Sequence, residues 1–306
     1  MDTFSMERIS LVTTLACNLN CKLCSIDAPY RRQEKNFTVE EQKRVVEKYF
    51  TVVDYVRKFS LTGGESLLLK DLPELLMYIK RYLNQIGQVE LITNGTLIPS
   101  EALIEAAQSF GDKIIFLVDN YGPSLSKAIP SIKSALTNAH IPFTVRGNSS
   151  TSSHCDGWVD FSDGSELIHH TPEDVERVFS KCAVVQKLSF CCNFHNGVMY
   201  PCDQVRKCIQ KGTTPDNPEE YVDFMDNTLS VKQLQSKIQH LYEINSLAAC
   251  AYCTGMCDDS KRFVPAEQLT KEEIECVKQG ARSYREVCKM MNSNKEYPTP
   301  PPCSLT

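Results

Sequence analysis

The chain has 306 residues, 42% of them hydrophobic and 23% charged, with a net charge near −5 and a pI near 5.8. This is the composition of an ordinary soluble globular protein with room for one large domain or two modest ones. The acidic balance excludes nucleic-acid binding through a broad basic surface. The N-terminus lacks the apolar core of a signal peptide and no segment is long enough to span a bilayer, so a cytoplasmic protein without a membrane partner is expected. In that compartment 15 cysteines read as metal ligands or reactive thiols rather than a disulfide framework. Three of them fall in the first 154 residues and twelve in the rest.

Apolar, β-rich runs at residues 9–13, 58–62, 89–93, 114–118, 142–145 and 158–161 alternate with helical patterns at 38–56, 72–82, 100–110 and 124–138. Thr38 with Glu41 three residues on gives the first helix a capping box. The alternation predicts a parallel sheet with helices on its faces, either doubly wound or closed towards a barrel. Directly after the first run stand Cys17, Cys21 and Cys24 in a C-x3-C-x2-C array. Three thiolates at this spacing can each take one iron of a [4Fe–4S] cluster, and with no fourth Cys nearby the last iron is open to a ligand. A zinc knuckle is the plainer alternative, although zinc asks for a second cysteine or histidine pair close by. Barrels carry active-site groups on the loops after their strands, so cluster ligands on the long connection 15–37 favour a partial barrel of six strands.

Other strand ends carry further candidates. Gly63-Gly64-Glu65 follows the second run, and two residues without Cβ would let a ligand approach the backbone. The third run ends in Thr93-Asn94-Gly95 and the fourth in Asp119-Asn120, an acceptor position for hydroxyl groups. The fifth ends in Arg146, whose planar fork suits a carboxylate. Taken singly, each reads equally as a turn, cap or surface residue.

Taken together, over residues 7–147, these features resemble the radical S-adenosylmethionine (SAM) superfamily. The resemblance implies that Cys17, Cys21 and Cys24 hold a [4Fe–4S] cluster whose open iron chelates SAM. It implies that Gly63, Gly64 and Glu65 meet the amino group of SAM, that Asn94 and Asp119 line its pocket, and that Arg146 takes its carboxylate. Leu23 stands where the family usually has an aromatic residue, and Ser66 where it usually has Pro.

After residue 163 the rhythm stops and cysteines dominate. Cys182 is followed by a hairpin signal, with a turn at Asn196-Gly197 and an end at Cys202; Cys250-x2-Cys253 and Cys257 come later. This spacing resembles the twitch extension, a shortened SPASM domain, and is similar to that of the aminocyclitol dehydrogenases of butirosin type. The resemblance implies an auxiliary [4Fe–4S] cluster on Cys182, Cys202, Cys250 and Cys253. Four thiolates suit zinc as well, and Cys191 or Cys192 could replace Cys182. Cys257 is a candidate hydrogen-atom donor of the kind radical SAM epimerases use, or else a substitute ligand or a buried apolar thiol. His169, His170 and His195 read as surface or supporting residues. One helix is expected over 270–291, and a mobile tail with the PTPPP stretch beyond it.

The expected architecture is therefore α/β: a partial (β/α)6 barrel over 1–165, a small Cys-rich twitch-type extension with a β-hairpin and helices over 166–262, and a C-terminal helix and tail over 263–306. The expected reaction is reductive cleavage of SAM to a 5′-deoxyadenosyl radical, which abstracts hydrogen from a carbohydrate-like small molecule, ending in epimerisation or dehydrogenation. Its partners would be that substrate and an external one-electron donor such as flavodoxin or ferredoxin. Peptide-modifying relatives often carry a binding module ahead of the barrel, and the first run begins by residue 9, so a peptide substrate ranks second. A non-catalytic protein stapled by zinc ranks third.

Overall fold

The computed structural model describes residues 3–31, 33–149, 152–153, 156–186 and 193–291. Five of the apolar runs form its centre: β1 (Ser5–Thr14), β2 (Tyr55–Gly63), β3 (Ile86–Thr93), β4 (Ile114–Asn120) and β5 (Phe143–Ser149) lie parallel, side by side in chain order. Leu11 stands opposite Leu61, Leu61 opposite Leu91, Leu91 opposite Phe116 and Phe116 opposite Phe143. An apolar row thus crosses the sheet, as parallel strands covered by helices require. The crossovers carry α1 (Val39–Val52), α2 (Leu72–Ile79), α3 (Glu101–Gln108) and α4 (Ile129–Asn138). The capping box forms at the start of α1, where Thr38 accepts from the Glu41 amide and Glu41 accepts from the Thr38 amide. Because the strands are parallel, all five C-terminal ends meet along one edge, and the cysteine loop leaves from the first of them.

The expected sixth strand, 158–161, is not one. It makes a single antiparallel bridge, Trp158 with Phe263. The Ser162 amide donates to Asp160 Oδ1 at 3.0 Å and Ser162 has a φ of 70°, so the chain turns where a strand would continue. Gly147, Asn148 and Ser149 continue β5 past Arg146, and β6 (Ser152–Ser153) pairs antiparallel with it.

The sheet grows at its other edge. There β7 (Asn193–His195) pairs parallel with β1, followed by antiparallel β8 (Val198–Tyr200) and β9 (Val222–Asp223). The turn joining β7 to β8 has φ of 49° at Asn196 and 81° at Gly197, the two left-handed residues of a tight hairpin turn. The apolar run ahead of β7, with Cys191 and Cys192, lies outside the described residues. Phe194 secures the hairpin: its ring lies 5.4 Å from Tyr49 of α1 and 4.9 Å from Phe224, both edge-on.

The remaining helices are α5 (Pro172–Lys181), α6 (Ala183–Gln186), α7 (Asp203–Lys211), α8 (Val231–Glu243), α9 (Lys271–Lys278) and α10 (Tyr284–Met291). The last two replace the single expected helix, broken at Gly280, whose φ of 112° a helix cannot accommodate. The tail from residue 292 lies outside the described residues. Among the described residues no helix is long and apolar enough to cross a membrane.

Candidate active site

The cysteine loop is held first by the glycine pair. A Cβ on Gly63 would lie 2.3 Å from the Thr14 carbonyl oxygen, and one on Gly64 2.3 Å from that of Ala16. The Gly64 amide donates to Thr14 O and the Glu65 amide to Ala16 O, each at 2.8 Å. The glycines thus admit the backbone leading into Cys17, and both also line the cavity described below. Glu65 is fully buried and accepts from the Leu67 amide at 3.0 Å and the Asn94 amide at 2.7 Å. Burial pushes its carboxyl up from the usual range. It ties the end of β2 to that of β3 and does not line the cavity described below. Asn94 accepts from the Thr96 amide, donates to Asn18 Oδ1 at 3.0 Å, and brings its Nδ2 to 3.9 Å from Cys17 Sγ.

A second clamp comes from the far end of the chain. Cys21 forms an antiparallel bridge with Gln268. The Lys22 amide donates to Glu267 O and the Leu269 amide to Asn20 O, each at 2.8 Å. Gln268 Nε2 reaches Cys21 Sγ at 3.2 Å, and Lys22 Nζ meets Glu267 at 2.7 Å. Sequence reasoning missed this strap. Residues 266–269 carry no local motif, and only the fold sets them beside a loop some 247 positions earlier in the chain.

Cys17, Cys21 and Cys24 converge on a cavity of about 380 Å³, with Gly63, Gly64, Asn94, Asp119 and Arg146 in the same wall. The strand ends thus gather every cofactor residue expected there except Glu65. Arg146 is committed within the wall: its Nε and Nη2 donate to the two carboxylate oxygens of Asp119 at 2.8 and 2.7 Å. The fork expected to take a ligand carboxylate is filled by the residue expected to meet hydroxyls. From the hairpin and α7, Asn193, Cys202, Asp203 and Gln204 line the same cavity, as does Met256.

The donor set suits a cluster. Burial, with Asp27 and Cys17 nearby, pushes the Cys24 thiol up to about 11, and burial with Cys24 close by pushes Cys21 further. Buried thiols like Cys21 and Cys24 stay protonated unless a metal centre supplies positive charge. No three His, Cys, Asp or Glu among the described residues stand close enough to hold a single ion. A four-iron cluster does not ask for that, since each thiolate takes a different iron.

The other four expected ligands also come together. Cys182 at the end of α5, Cys202 at the start of α7, and Cys250 and Cys253 in the turn after α8 line one small, largely apolar cavity of about 20 Å³. Burial, with Cys182 alongside, pushes Cys202 up to about 12; burial and the neighbouring thiols raise Cys250 and Cys253 as well. The Met256 amide donates to Cys182 Sγ at 3.4 Å and the Gly255 amide to Cys253 Sγ at 3.3 Å. Backbone donors aimed at thiolates suit a metal–sulfur centre. Cys257, 2% exposed, packs against Val178 and Cys250 and lines neither cavity. His169 is buried and hydrogen-bonded to the Cys253 carbonyl at 3.1 Å, and His195 is buried against Arg31, so neither is a surface residue.

Residues 11–134 match the Radical SAM superfamily. The chain carries a radical SAM domain. With it come a [4Fe–4S] cluster and SAM as cofactors, and the standing of an enzyme; the zinc-stapled, non-catalytic alternative is set aside. Curated relatives include a probable GTP 3',8-cyclase of Methanococcus maripaludis, 36% identical over 92 residues, 30% of each chain. Another is the GTP 3',8-cyclase of Syntrophomonas wolfei, 34% identical over 125 residues, 40% of this chain and 36% of that one. The chain thus spans about a third of the length of the curated relatives it matches. Among solved structures, native anSMEcpe with bound AdoMet and a peptide covers 95% of this chain and all of that one, with a TM-score of 0.51 at 14% identity, a likeness of fold. BtrN in complex with AdoMet and 2-DOIA covers 86% at 17% identity with a TM-score of 0.47.

Proposed function

We propose that the chain is a radical SAM oxidoreductase acting on a small, polar, carbohydrate-like molecule held in the 380 Å³ cavity. The observation that carries this is Gln204. It is 4% exposed, lies between that cavity and the small apolar one beside Cys202, and its Oε1, shut off from solvent, has no hydrogen-bond partner among the described residues. A buried orphan acceptor costs about 1–3 kcal/mol, a deficit that a turn of the Gln204 carboxamide towards a substrate hydroxyl or amine in the larger cavity would remove.

Cys17, Cys21 and Cys24 would hold the [4Fe–4S] cluster, and Cys182, Cys202, Cys250 and Cys253 a second one. Bound at the first site, the cluster and SAM would supply one-electron, hydrogen-abstracting radical chemistry, given an electron from a carrier such as flavodoxin or ferredoxin. The protein's own part is placement. Asn94 and the Asp119–Arg146 pair offer polar groups to SAM at the strand ends, with the fork of Arg146 already satisfied by Asp119. Asp203, held down to about 2 by the buried Arg206 against the opposing effect of burial, keeps a carboxylate on the wall beside Gln204. Met256 rather than Cys257 stands on that wall, which supports dehydrogenation over a thiol-dependent epimerisation.

The test is release of 5′-deoxyadenosine from SAM by anaerobically reconstituted, reduced protein, beside the Cys17→Ala/Cys21→Ala/Cys24→Ala triple variant. Release by the wild type alone is expected. Equal release by both, or a wild type that binds only zinc, would overturn the reading. A panel of aminocyclitols, sugars and peptides, scored by 5′-deoxyadenosine formed above background, then ranks the substrate classes.

A further inference from the structure

We infer that Gln268 tunes the centre on Cys17, Cys21 and Cys24: its carboxamide donates a hydrogen bond to the Cys21 thiolate and makes that centre easier to reduce. The inference rests on the proposed function, since it concerns the cluster assigned there. Gln268 Nε2 lies 3.2 Å from Cys21 Sγ. Which end of the amide faces the sulfur follows from its other partners. Oε1 accepts from the Asn20 amide at 2.7 Å, and Nε2 also donates to the Ala266 carbonyl at 2.6 Å. Flipping the amide would set its oxygen against both the sulfur and the Ala266 oxygen, and its NH₂ against the Asn20 N–H, so one orientation satisfies every contact.

The backbone fixes the rest, because Cys21 and Gln268 are bridge partners flanked by Lys22 N to Glu267 O and Leu269 N to Asn20 O. Among the described residues Gln268 approaches Cys21 Sγ at 3.2 Å and Asn94 approaches Cys17 Sγ at 3.9 Å. An N–H aimed at a ligating sulfur withdraws negative charge and favours the reduced, more negative state, so its loss lowers the potential. Gln268 acts through Cys21 and is a positioning residue.

Two variants of the full chain separate tuning from support. Gln268→Glu keeps an acceptor for the Asn20 amide and replaces the donor with a carboxylate; Gln268→Met removes both at similar length. The measurement is a potentiometric titration of the anaerobically reconstituted proteins, followed in the electron paramagnetic resonance signal that changes on adding SAM, together with bound iron. We expect Gln268→Met to make reduction about tenfold less favourable, ~59 mV for one electron, and Gln268→Glu to shift it further with iron at the wild-type level. Wild-type potentials in both variants would overturn the inference, as would loss of iron from both, which would make the contact structural. A wild type with no SAM-sensitive signal would sink the proposed function and this inference with it, whereas unshifted variants of a SAM-sensitive wild type sink this inference alone.

Discussion

The two thiol sites are built in opposite ways. The first has three cysteines within eight consecutive residues, Cys17 to Cys24, on one loop, and opens onto a cavity of about 380 Å³. The second gathers Cys182, Cys202, Cys250 and Cys253 from three separate segments around a cavity of about 20 Å³ walled by Phe161, Val178, Val205 and Leu247. An open site can exchange a ligand for a substrate, while an enclosed one with four thiols has its ligand set complete within the protein. Local spacing suffices to specify the first, but the second exists only once α5, α7 and the turn after α8 have docked.

The sharpest way to test that contrast is to remove ligands from the enclosed site. Cys202→Ala/Cys250→Ala is expected to lose half the iron of the reconstituted protein and all turnover of substrate, while a SAM-responsive signal from the first site survives; loss of both signals would show that the sites do not assemble independently. Next in size is the glycine pair that supports the open site. Gly63→Ala or Gly64→Ala sets a Cβ at 2.3 Å from backbone oxygens that cannot move without the cysteine loop. Each is expected to cost about 3 kcal/mol or more in urea unfolding and to lose iron from the first site first.

The hairpin that joins the two halves gives a pH test. Burial, with Arg31 and Arg206 close by, pushes His195 down to about 4 from its usual 6.5, so the folded chain keeps it neutral where the unfolded chain protonates it. The stability this gives is fully present above pH 6.5 and is lost as pH falls from there through about 4, up to roughly 3 kcal/mol in all. His195→Gln is expected to flatten that part of the profile, and an unchanged slope would remove His195 as its cause. The smallest effect is expected from Cys257→Ala, which should leave bound iron and SAM cleavage unchanged because Cys257 lines neither cavity. A drop in iron would make it a ligand.

The amino-acid sequence by itself determined the parallel sheet, the capping box on α1, the hairpin turn at Asn196-Gly197, and the Cys17, Cys21 and Cys24 array. Each of these is written in short-range periodicity or spacing, or in backbone conformations that only certain residues adopt. Tertiary structure alone decided what distant segments do to one another. The run 158–161 reads as a strand, but the Asp160–Ser162 turn ends it, and the free edge of β1 is taken by β7, held by Phe194 against Tyr49 and Phe224. Gly63 and Gly64 admit the backbone of Thr14 and Ala16, which no reading of the tripeptide could reveal. Arg146 and Asp119 satisfy each other because β4 and β5 set them side by side. Gln268 meets Cys21, and the Gln204 oxygen is buried without a partner among the described residues, through packing that local patterns do not encode: it arises where elements far apart in the chain are brought to one edge of the sheet.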